Sequence, residues 1–293
     1  MKRLSLKILF FVSVFVLFNY TYMWYLKRYD FELSKALMIS KMKNQKFDCI
    51  FLGNSVSFDG IDSEFFTKNG VSAYNFALGG ANIEASYIQL SNYLKTNTTK
   101  CVMLGLSPGV DYKNFTPPPL HPAIEYSYDL MDKFSIRSIP VIKFQWLAVE
   151  IVKKVLSKDH REARIVMGQL RTKKTVPDHT DYSQKTKTSI SICDFEKAKF
   201  LFKMDSLCDV NKIDFVLIGM PGYKNTQNDI DVGLHILEYN GDNKLHYLNL
   251  NNAKQCTQMF DSTDWLGNSH LNEYGAKKLT EFLYNLYNEN SFH

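Results

Sequence analysis

The chain has 293 residues, of which 45% are hydrophobic and 22% are charged. A chain of this length and composition can bury a full core, so it is not a disordered polymer, and one domain with an insertion is the simplest organisation. Much of the net charge of +5 lies between Lys143 and Lys187, where there are 11 Lys or Arg against 5 Asp or Glu. Such a basic segment suits anionic lipid, an acidic polymer or nucleic acid, or is simply a solvated surface. Because no nucleic-acid motif accompanies it, we expect no nucleic-acid partner.

The N-terminal segment is almost wholly apolar from Ile8 to Leu26 and follows three basic residues. As a helix it would span about 28 Å, close to the thickness of a bilayer core. Aromatic residues cluster at its far end, as they do at a membrane interface. No small-x-small cleavage site follows. The sequence therefore predicts an uncleaved single-pass anchor over 1–28, with 29–293 on the periplasmic or extracellular side of the cell membrane.

Short apolar runs alternate with helical segments along the rest of the chain. The apolar runs predict buried strands at 47–53, 72–77, 101–106, 215–219 and 245–250. Helical spacing predicts helices at 83–94, at 196–210 and after Asn272. This alternation predicts an α/β fold with a three-layer, flavodoxin-like parallel sheet and an active site at the carboxyl ends of the strands. The interruption at about 107–191 is interpreted as a helical insertion that caps or flanks the site.

Residue patterns for metals and cofactors are missing from the sequence. The five cysteines form no CxxC pair, and no metal-ligand cluster, phosphate loop or nucleotide fingerprint is present. We therefore expect no metal and no cofactor. Cys49 and Cys101 begin predicted strands and are expected to act as small apolar residues, while the disulfide status and oligomeric state stay open.

A candidate nucleophile follows the first predicted strand, in the sequence Gly53-Asn54-Ser55. A serine on a tight strand-to-helix turn exposes its hydroxyl at the sheet edge, beside its own backbone N–H. The same three residues are also common in plain turns. After the second strand, Gly80 can direct a backbone N–H at a developing oxyanion, although a plain turn explains this glycine equally well.

A candidate general base, His270, directly precedes the last predicted helix. If that helix packs beside the first strand, the imidazole can reach Ser55 and act first as a base and then as an acid. A lone histidine is more often a surface or capping residue. The position of His270 at the expected active-site end of the sheet favours the catalytic interpretation.

Three blocks of sequence carry a family resemblance: FLGNSVSFDGI at 51–61, YNFALGGANIEASY at 74–87 and SHLNEYGAKKLTEFL at 269–283. With these blocks in this order, the chain resembles the SGNH/GDSL hydrolase-like superfamily, in its membrane-anchored DltD-like and polysaccharide O-acetyltransferase-like branch. The resemblance implies that Ser55 is the nucleophile, His270 the base and Gly80 an oxyanion donor.

Two positions depart from the family pattern. The aspartate three residues before the histidine is replaced by Gly267, so Asp264 or a backbone carbonyl is expected to orient the imidazole. The family's asparagine after the third strand is also missing, and Ser107 or Asn82 is expected to supply a donor in its place. Because losing the acid of a triad can lower the rate by up to about 10⁴, a slow enzyme, a dyad enzyme and an inactive protein all stay open.

These patterns predict ester chemistry outside the cytoplasmic membrane, by a serine acyltransferase or esterase that acts on a cell-envelope glycan or polymer. By resemblance, a multi-pass membrane acyltransferase would be its partner. Two alternatives stay open: a catalytically impaired protein of the same fold that binds glycan or that partner, and a small-molecule esterase with an apolar pocket. The sequence leaves the acyl donor, the acceptor and the choice between transfer and hydrolysis undefined.

Overall fold

A computed structural model describes residues 2–114, 116–131, 135–145, 164–173, 175, 187–223, 227–241, 243–267 and 269–289. The chain divides into two compact units. The smaller unit is formed by Met1–Ser40 and Pro122–Arg161, and the larger unit by Lys41–His121 and Glu162–His293. Much of the predicted insertion, including most of its basic segment, lies outside the described residues.

The strands all belong to the larger unit. In chain order they are β1 (Lys46–Gly53), β2 (Ala73–Asn75), β3 (Thr98–Leu106), β4 (Arg164–Val166), β5 (Gln169–Arg171), β6 (Asp214–Gly219), β7 (Gly233–Tyr239), β8 (Asn243–Asn249), β9 (Trp265–Gly267) and β10 (His270–Leu271). Within the described residues, six of them form one sheet in the order β2-β1-β3-β6-β8-β7. The first five of these are parallel, and β7 pairs with β8 in antiparallel fashion at one edge. The predicted α/β class and the five predicted strands are confirmed, whereas β7 and the short hairpins β4–β5 and β9–β10 were not predicted.

The carboxyl ends of the parallel strands lie level with one another. Gly53 at the end of β1 is opposite Gly105 in β3, and Leu106 is opposite Gly219 at the end of β6. Gly219 is in turn opposite Asn249 at the end of β8. Residues that follow these strands therefore collect at one edge of the sheet, where α/β proteins place their sites.

Helices cover both faces of the sheet. In chain order the described helices are α1 (Lys2–Tyr29), α2 (Phe31–Ser40), α3 (Ser55–Gly60), α4 (Ser63–Lys68), α5 (Ile83–Tyr93), α6 (Pro122–Ser127), α7 (Pro140–Lys143), α8 (Lys199–Val210), α9 (Ala253–Met259) and α10 (Glu273–Asn288). On one face α5 packs beside α8, and on the other α10 packs against α3 and α4. The strands between them are buried on both sides, which is why their sequences are continuous apolar runs instead of alternating ones.

The last helix, α10, begins where the sequence predicts it. Asn272 is its N-cap, and the Asn272 side chain accepts hydrogen bonds from the backbone N–H groups of Tyr274 and Gly275 at 3.0 and 3.2 Å. Leu279 and Leu283 on the apolar face of α10 are fully buried in the same cluster as Phe51 of β1. This packing fixes the start of α10, and the histidine just before it, close to the end of β1.

The smaller unit contains α1, α2, α6 and α7 among its described elements. Its first helix, α1, is long and apolar enough to cross a membrane, and most of its large apolar side chains from Leu4 to Phe18 are exposed. The end of α1 packs against α2 and α7. Met23 and Leu26 are buried there, so the apolar face of α1 is covered only towards its carboxyl end.

Candidate active site

The turn that carries Ser55 depends on the glycine at the end of β1. Gly53 has φ of +130°, in the region that favours glycine, and a Cβ atom there would lie 2.5 Å from Ser57 Oγ and 2.6 Å from Gly105 O. Asn54 then caps α3, because its Oδ1 accepts a hydrogen bond from Val56 N at 3.3 Å. The chain therefore turns abruptly out of the sheet, and Ser55 becomes the first residue of α3, half-buried at the edge of the sheet.

Ser55 and His270 lie in hydrogen-bond contact although 215 positions separate them in the chain. His270 Nε2 lies 2.8 Å from Ser55 Oγ. Two elements bring them together: α3 starts at Ser55, and α10, which packs against α3, starts just after His270. This is the geometry of a hydroxyl nucleophile with an imidazole base.

The second ring nitrogen of His270 faces a hydroxyl. Its Nδ1 lies 3.3 Å from Ser269 Oγ. With the proton on Nδ1, the ring would donate to Ser269 Oγ and Nε2 would accept from Ser55 Oγ, which is the tautomer that a general base needs. The sequence analysis missed Ser269, and no motif distinguishes this serine from a plain loop residue.

Asp264, the expected substitute for the family's aspartate, is directed elsewhere. Its side chain is buried, and its Oδ2 accepts from Asp261 N and from Lys278 Nζ, both at 2.7 Å. Its backbone oxygen accepts from Asn272 N at 2.9 Å. Asp264 therefore holds the turn in front of α10, and the structure does not bring its carboxylate to the imidazole of His270. The physical reason is that this carboxylate already accepts hydrogen bonds from the backbone N–H of Asp261 and from the ammonium group of Lys278.

There is free space beside Gly267, the position at which the family pattern has an aspartate. Gly267 pairs directly across the β9–β10 hairpin from His270. A Cβ atom built on Gly267 meets no atom within 4 Å among the described residues, and the φ of Gly267 is not in the left-handed region. The backbone at residue 267 could therefore carry a side chain pointing into free space beside the histidine.

Burial sets the protonation of the imidazole. His270 is half-buried, and this burial lowers its pKa below the ordinary value of 6.5 because the charged form loses part of its hydration. At neutral pH the ring is therefore neutral, as a general base must be before it takes a proton.

The three residues expected to bind substrate or oxyanion differ in what they can do. Gly80 lies in an exposed turn with φ of +67°, and no atom lies within 4 Å of where its Cβ would be. Asn82 caps α5, with its Oδ1 accepting from Ala85 N at 2.8 Å and its Nδ2 donating to Pro118 O at 2.9 Å. Ser107 Oγ accepts from Asn54 Nδ2 at 2.6 Å. Asn82 is thus engaged on both sides, while Ser107 positions the residue next to Ser55.

Buried side chains that the sequence analysis did not single out hold α3 in place. Asn75 Nδ2 donates to Ser57 O at 2.8 Å and to Ile61 O at 3.0 Å, and both oxygens belong to α3 or its end. Gln169 Nε2, from the β4–β5 hairpin, donates to Asp59 O at 2.9 Å. The described part of the insertion therefore supports α3, the helix that begins at Ser55, from behind. The only sequence signal for this role is that Asn75 belongs to the second of the three blocks.

Two cavities flank the segment from Leu106 to Tyr112 at the carboxyl edge of the sheet. One has a volume of about 370 Å³, and its lining includes Gly53, Asn54, Gly80, Asn82 and Leu104. The other has a volume of about 470 Å³, and its lining includes Ser107, Asp111, Lys113, Lys187, Asp194 and Asn251. The smaller cavity adjoins the turn before Ser55 and is mainly apolar, whereas the larger one carries charged and amide groups.

The described residues hold no group of three or more His, Cys, Asp and Glu side chains placed as metal ligands.

Comparisons with known proteins leave the family open. No family model matches the chain, and no curated protein matches it in sequence. A solved structure from Streptococcus pneumonia, described as a candidate platelet activating factor, is similar over 94% of this chain and 97% of its own, with 10% identity and a TM-score of 0.41. A likeness of this size carries no functional argument, so the function is argued from the site.

Proposed function

We propose that the chain is a membrane-anchored serine acyltransferase or ester hydrolase of the SGNH hydrolase-like kind, which acts on a glycan or polymer of the cell envelope outside the cytoplasmic membrane. The observation that carries this proposal is the 2.8 Å contact between His270 Nε2 and Ser55 Oγ at the carboxyl edge of a parallel sheet. Neither residue has a structural role that would explain this pairing, since Asn54 and Asn272 provide the two helix caps.

The strand order supports the SGNH-like assignment. Counted along the chain without the edge strand and the hairpins, the parallel strands lie in the order 2-1-3-4-5, which is the flavodoxin-like order. The three sequence blocks fall at the ends of the first two strands and at the start of the last helix. The resemblance and the fold thus point to the same edge of the sheet.

In the first chemical step the serine becomes acylated. His270 Nε2 takes the proton of Ser55 Oγ while the oxygen attacks the ester carbonyl of the donor. The tetrahedral oxyanion would accept hydrogen bonds from backbone N–H groups, for which those of Ser55 and Gly80 are the candidates. As the carbon–oxygen bond to the leaving group breaks, His270 gives its proton to that leaving oxygen.

In the second step the acyl group leaves the serine. A sugar hydroxyl or a water molecule gives its proton to His270 Nε2 and attacks the acyl carbon, and the proton returns to Ser55 Oγ as the acyl–serine bond breaks. Attack by a hydroxyl is acyl transfer, and attack by water is hydrolysis. The larger cavity at this edge of the sheet is not lined by Ser55 or His270, but the charged and amide groups in its mixed lining could bind a hydroxyl-rich acceptor.

Anchoring by α1 supports an envelope substrate. A tether would hold the site near the membrane, where lipid-linked precursors and a multi-pass acyltransferase partner would present acyl groups.

Labelling with a fluorophosphonate probe tests the proposal, because this reagent reacts with activated serines. We expect labelling of the full chain and none of Ser55→Ala. Ser206→Ala is the matched control, since Ser206 is an exposed serine of α8 whose hydroxyl donates to Phe202 O. Equal labelling of the wild type and Ser55→Ala would reject the catalytic assignment.

One observation favours a second candidate function, that of a catalytically impaired protein which binds glycan or an acyltransferase partner. The imidazole lies against the hydroxyl of Ser269 in the place where a triad would have a carboxylate. Complementation separates the two candidates. A Ser55→Ala strain that behaves normally would favour the binding protein, whereas loss of function at a normal protein level would favour the enzyme.

A further inference from the structure

The described segment from Ile136 to Gln145 contains α7 and packs directly on α1. Asn19 Oδ1 accepts a hydrogen bond from Val141 N at 3.1 Å, and the Tyr22 hydroxyl donates to Phe144 O at 2.7 Å. Phe144 is buried in this contact, with 1% of its surface exposed. The segment is therefore fixed at the level of Asn19 and Tyr22 along the axis of α1.

This level lies inside the apolar stretch of α1. The charged residues that bound the stretch are Lys7 and Lys27, which are about 30 Å apart along a helix, the thickness of a bilayer core. Asn19 lies about 12 Å before Lys27, and Tyr22 about 8 Å before it. A shorter span that ends at Phe18 would leave only about 22 Å from Leu4, too little to cross a bilayer. A membrane span in α1 thus requires the turns that α7 contacts.

Three polar groups of this segment have partners within the protein. Backbone that is not part of a long helix must find partners within the protein, because hydrocarbon offers none. Asn19 and Tyr22 supply partners at the two ends of α7, and Asn19 itself is covered, with 8% of its surface exposed. Lys143 pairs with Glu125 of α6, so its charge is neutralised within the protein.

The exposed side chains of the segment include two apolar ones, Ile136 and Ile142, and one polar one, Gln145. Ile136 is 72% exposed and Ile142 is 37% exposed, and they adjoin a helix whose own exposed side chains are apolar. Water would make this surface costly, whereas acyl chains would cover it.

We propose that residues 136–145 enter the bilayer beside α1, in the half nearer to Lys27, with Ile136 and Ile142 in contact with lipid acyl chains. This inference rests on the anchoring role proposed for α1 and adds a second membrane-contacting element to it. The partner of this surface is lipid, because the segment is fixed against turns of α1 that a membrane span would include.

Fluorescence quenching in vesicles tests the proposal. The full chain carries Cys193→Ser, which removes its exposed thiol, and one added cysteine labelled with an environment-sensitive dye. The dye is placed at the two test positions by Ile136→Cys and Ile142→Cys. Val16→Cys is the control for a position in the membrane helix. Val210→Cys, at a residue of the larger unit that is 83% exposed, is the control for a position in water. The vesicles contain phosphatidylcholine, phosphatidylglycerol and a lipid with a nitroxide on its acyl chain.

We expect the nitroxide to quench the dyes at residues 16, 136 and 142 and to spare the dye at residue 210. Quenching at 16 without quenching at 136 and 142 would overturn this inference and leave the anchor standing. No quenching at 16 would reject the anchor and this inference together, while fluorophosphonate labelling would still test the enzyme separately.

A matched pair of substitutions tests the contact itself. Asn19→Leu keeps α1 apolar and removes the bond to Val141, whereas Ser13→Leu removes a hydroxyl that bonds only within α1. We expect Asn19→Leu to reduce the quenching at residue 142, and Ser13→Leu to leave it unchanged. Equal quenching in both variants would show that α7 does not depend on α1 for its depth.

Discussion

At the scale of single residues, the candidate site consists of a serine and a histidine, and among the described residues no carboxylate contacts the imidazole. Ser55 and His270 are 2.8 Å apart, and the ring of His270 is steadied by Ser269 instead of an acid. A hydroxyl can hold the tautomer of the imidazole, but it cannot stabilise the imidazolium that forms in the reaction as a carboxylate does. A dyad of this kind is expected to be slower than a full triad.

The pH dependence follows from the burial of His270, which lowers its pKa below 6.5. The neutral ring is the active form, so the rate of fluorophosphonate labelling should fall only when the pH drops through this lowered pKa. The unfolded chain binds the proton more readily, so stability also decreases as the pH falls below 6.5. A labelling rate measured against pH should have its acid midpoint below 6.5, and a midpoint above that value would contradict the assignment of His270.

Gly267→Asp should raise the activity. The position faces His270 across the hairpin and has room for a side chain, so a carboxylate there can stabilise the charged ring. We expect the labelling rate to increase by about tenfold or more, given the size of the acid's effect in the serine protease triad. Gly267→Asn is the matched control of equal size without charge. An equal effect of both variants, or none of either, would count against a charge effect at this site.

The sequence predicts the serine and the histidine of the candidate site, but not the residues that hold these two side chains in place. Ser55 and His270 were reached because each follows or precedes a recognisable element and belongs to a block with family resemblance. The sequence suggests Asp264 as a partner of His270 because it is the nearest acid upstream. The hydrogen bonds that Asp264 makes instead, to Lys278 and Asp261, depend on the folded structure and cannot be predicted from the spacing of residues along the chain. Ser269 was overlooked for the same reason.

At the scale of elements, the strand-to-helix turn after β1 is the part of the fold that the site most depends on. Gly53 combines a positive φ with close contacts to Ser57 and Gly105, and Asn75 ties α3 to β2. This packing determines where the Ser55 hydroxyl points.

Gly53→Ala should therefore destabilise the protein, because the added Cβ meets atoms at 2.5 and 2.6 Å and the residue is strained at φ of +130°. We expect a loss of about 2–4 kcal/mol in the free energy of unfolding, measured by chemical denaturation. Gly70→Ala is the control, since it also has a positive φ but meets no atom within 4 Å among the described residues. A loss no larger than that of the control would argue against the tight turn.

The elements that sequence reasoning found and missed differ in their burial. The five parallel strands are buried on both faces and read as apolar runs, which are easy to detect. Strand β7 lies at the edge, with Ile236 exposed and polar residues between its apolar ones, so no such run marks it. A better signal is the Asn240-Gly241 pair, since Asn-Gly is typical of hairpin turns, and both residues have positive φ. The β4–β5 hairpin has only three residues in each strand, too few for any periodicity to show.

At the scale of the whole molecule, one chain combines an apolar helix long enough to cross a membrane with a sheet unit that carries a serine–histidine pair. If the proposed function is correct, a tether would bring the site to membrane-associated substrates at a high local concentration, so that even a slow dyad could act on an envelope polymer. This combination is the reason for preferring an envelope substrate to a small soluble ester.

The central claim is that Ser55 attacks with His270 as its base, and the rate of covalent labelling of Ser55 tests it most directly. The measurement is the mass of the intact chain over time with a fluorophosphonate, followed by mapping of the labelled peptide. We predict one adduct on Ser55 that forms in the wild type, forms at least about a hundredfold more slowly in His270→Ala, and is absent in Ser55→Ala. An adduct on another residue, or an equal rate in His270→Ala, would contradict the claim.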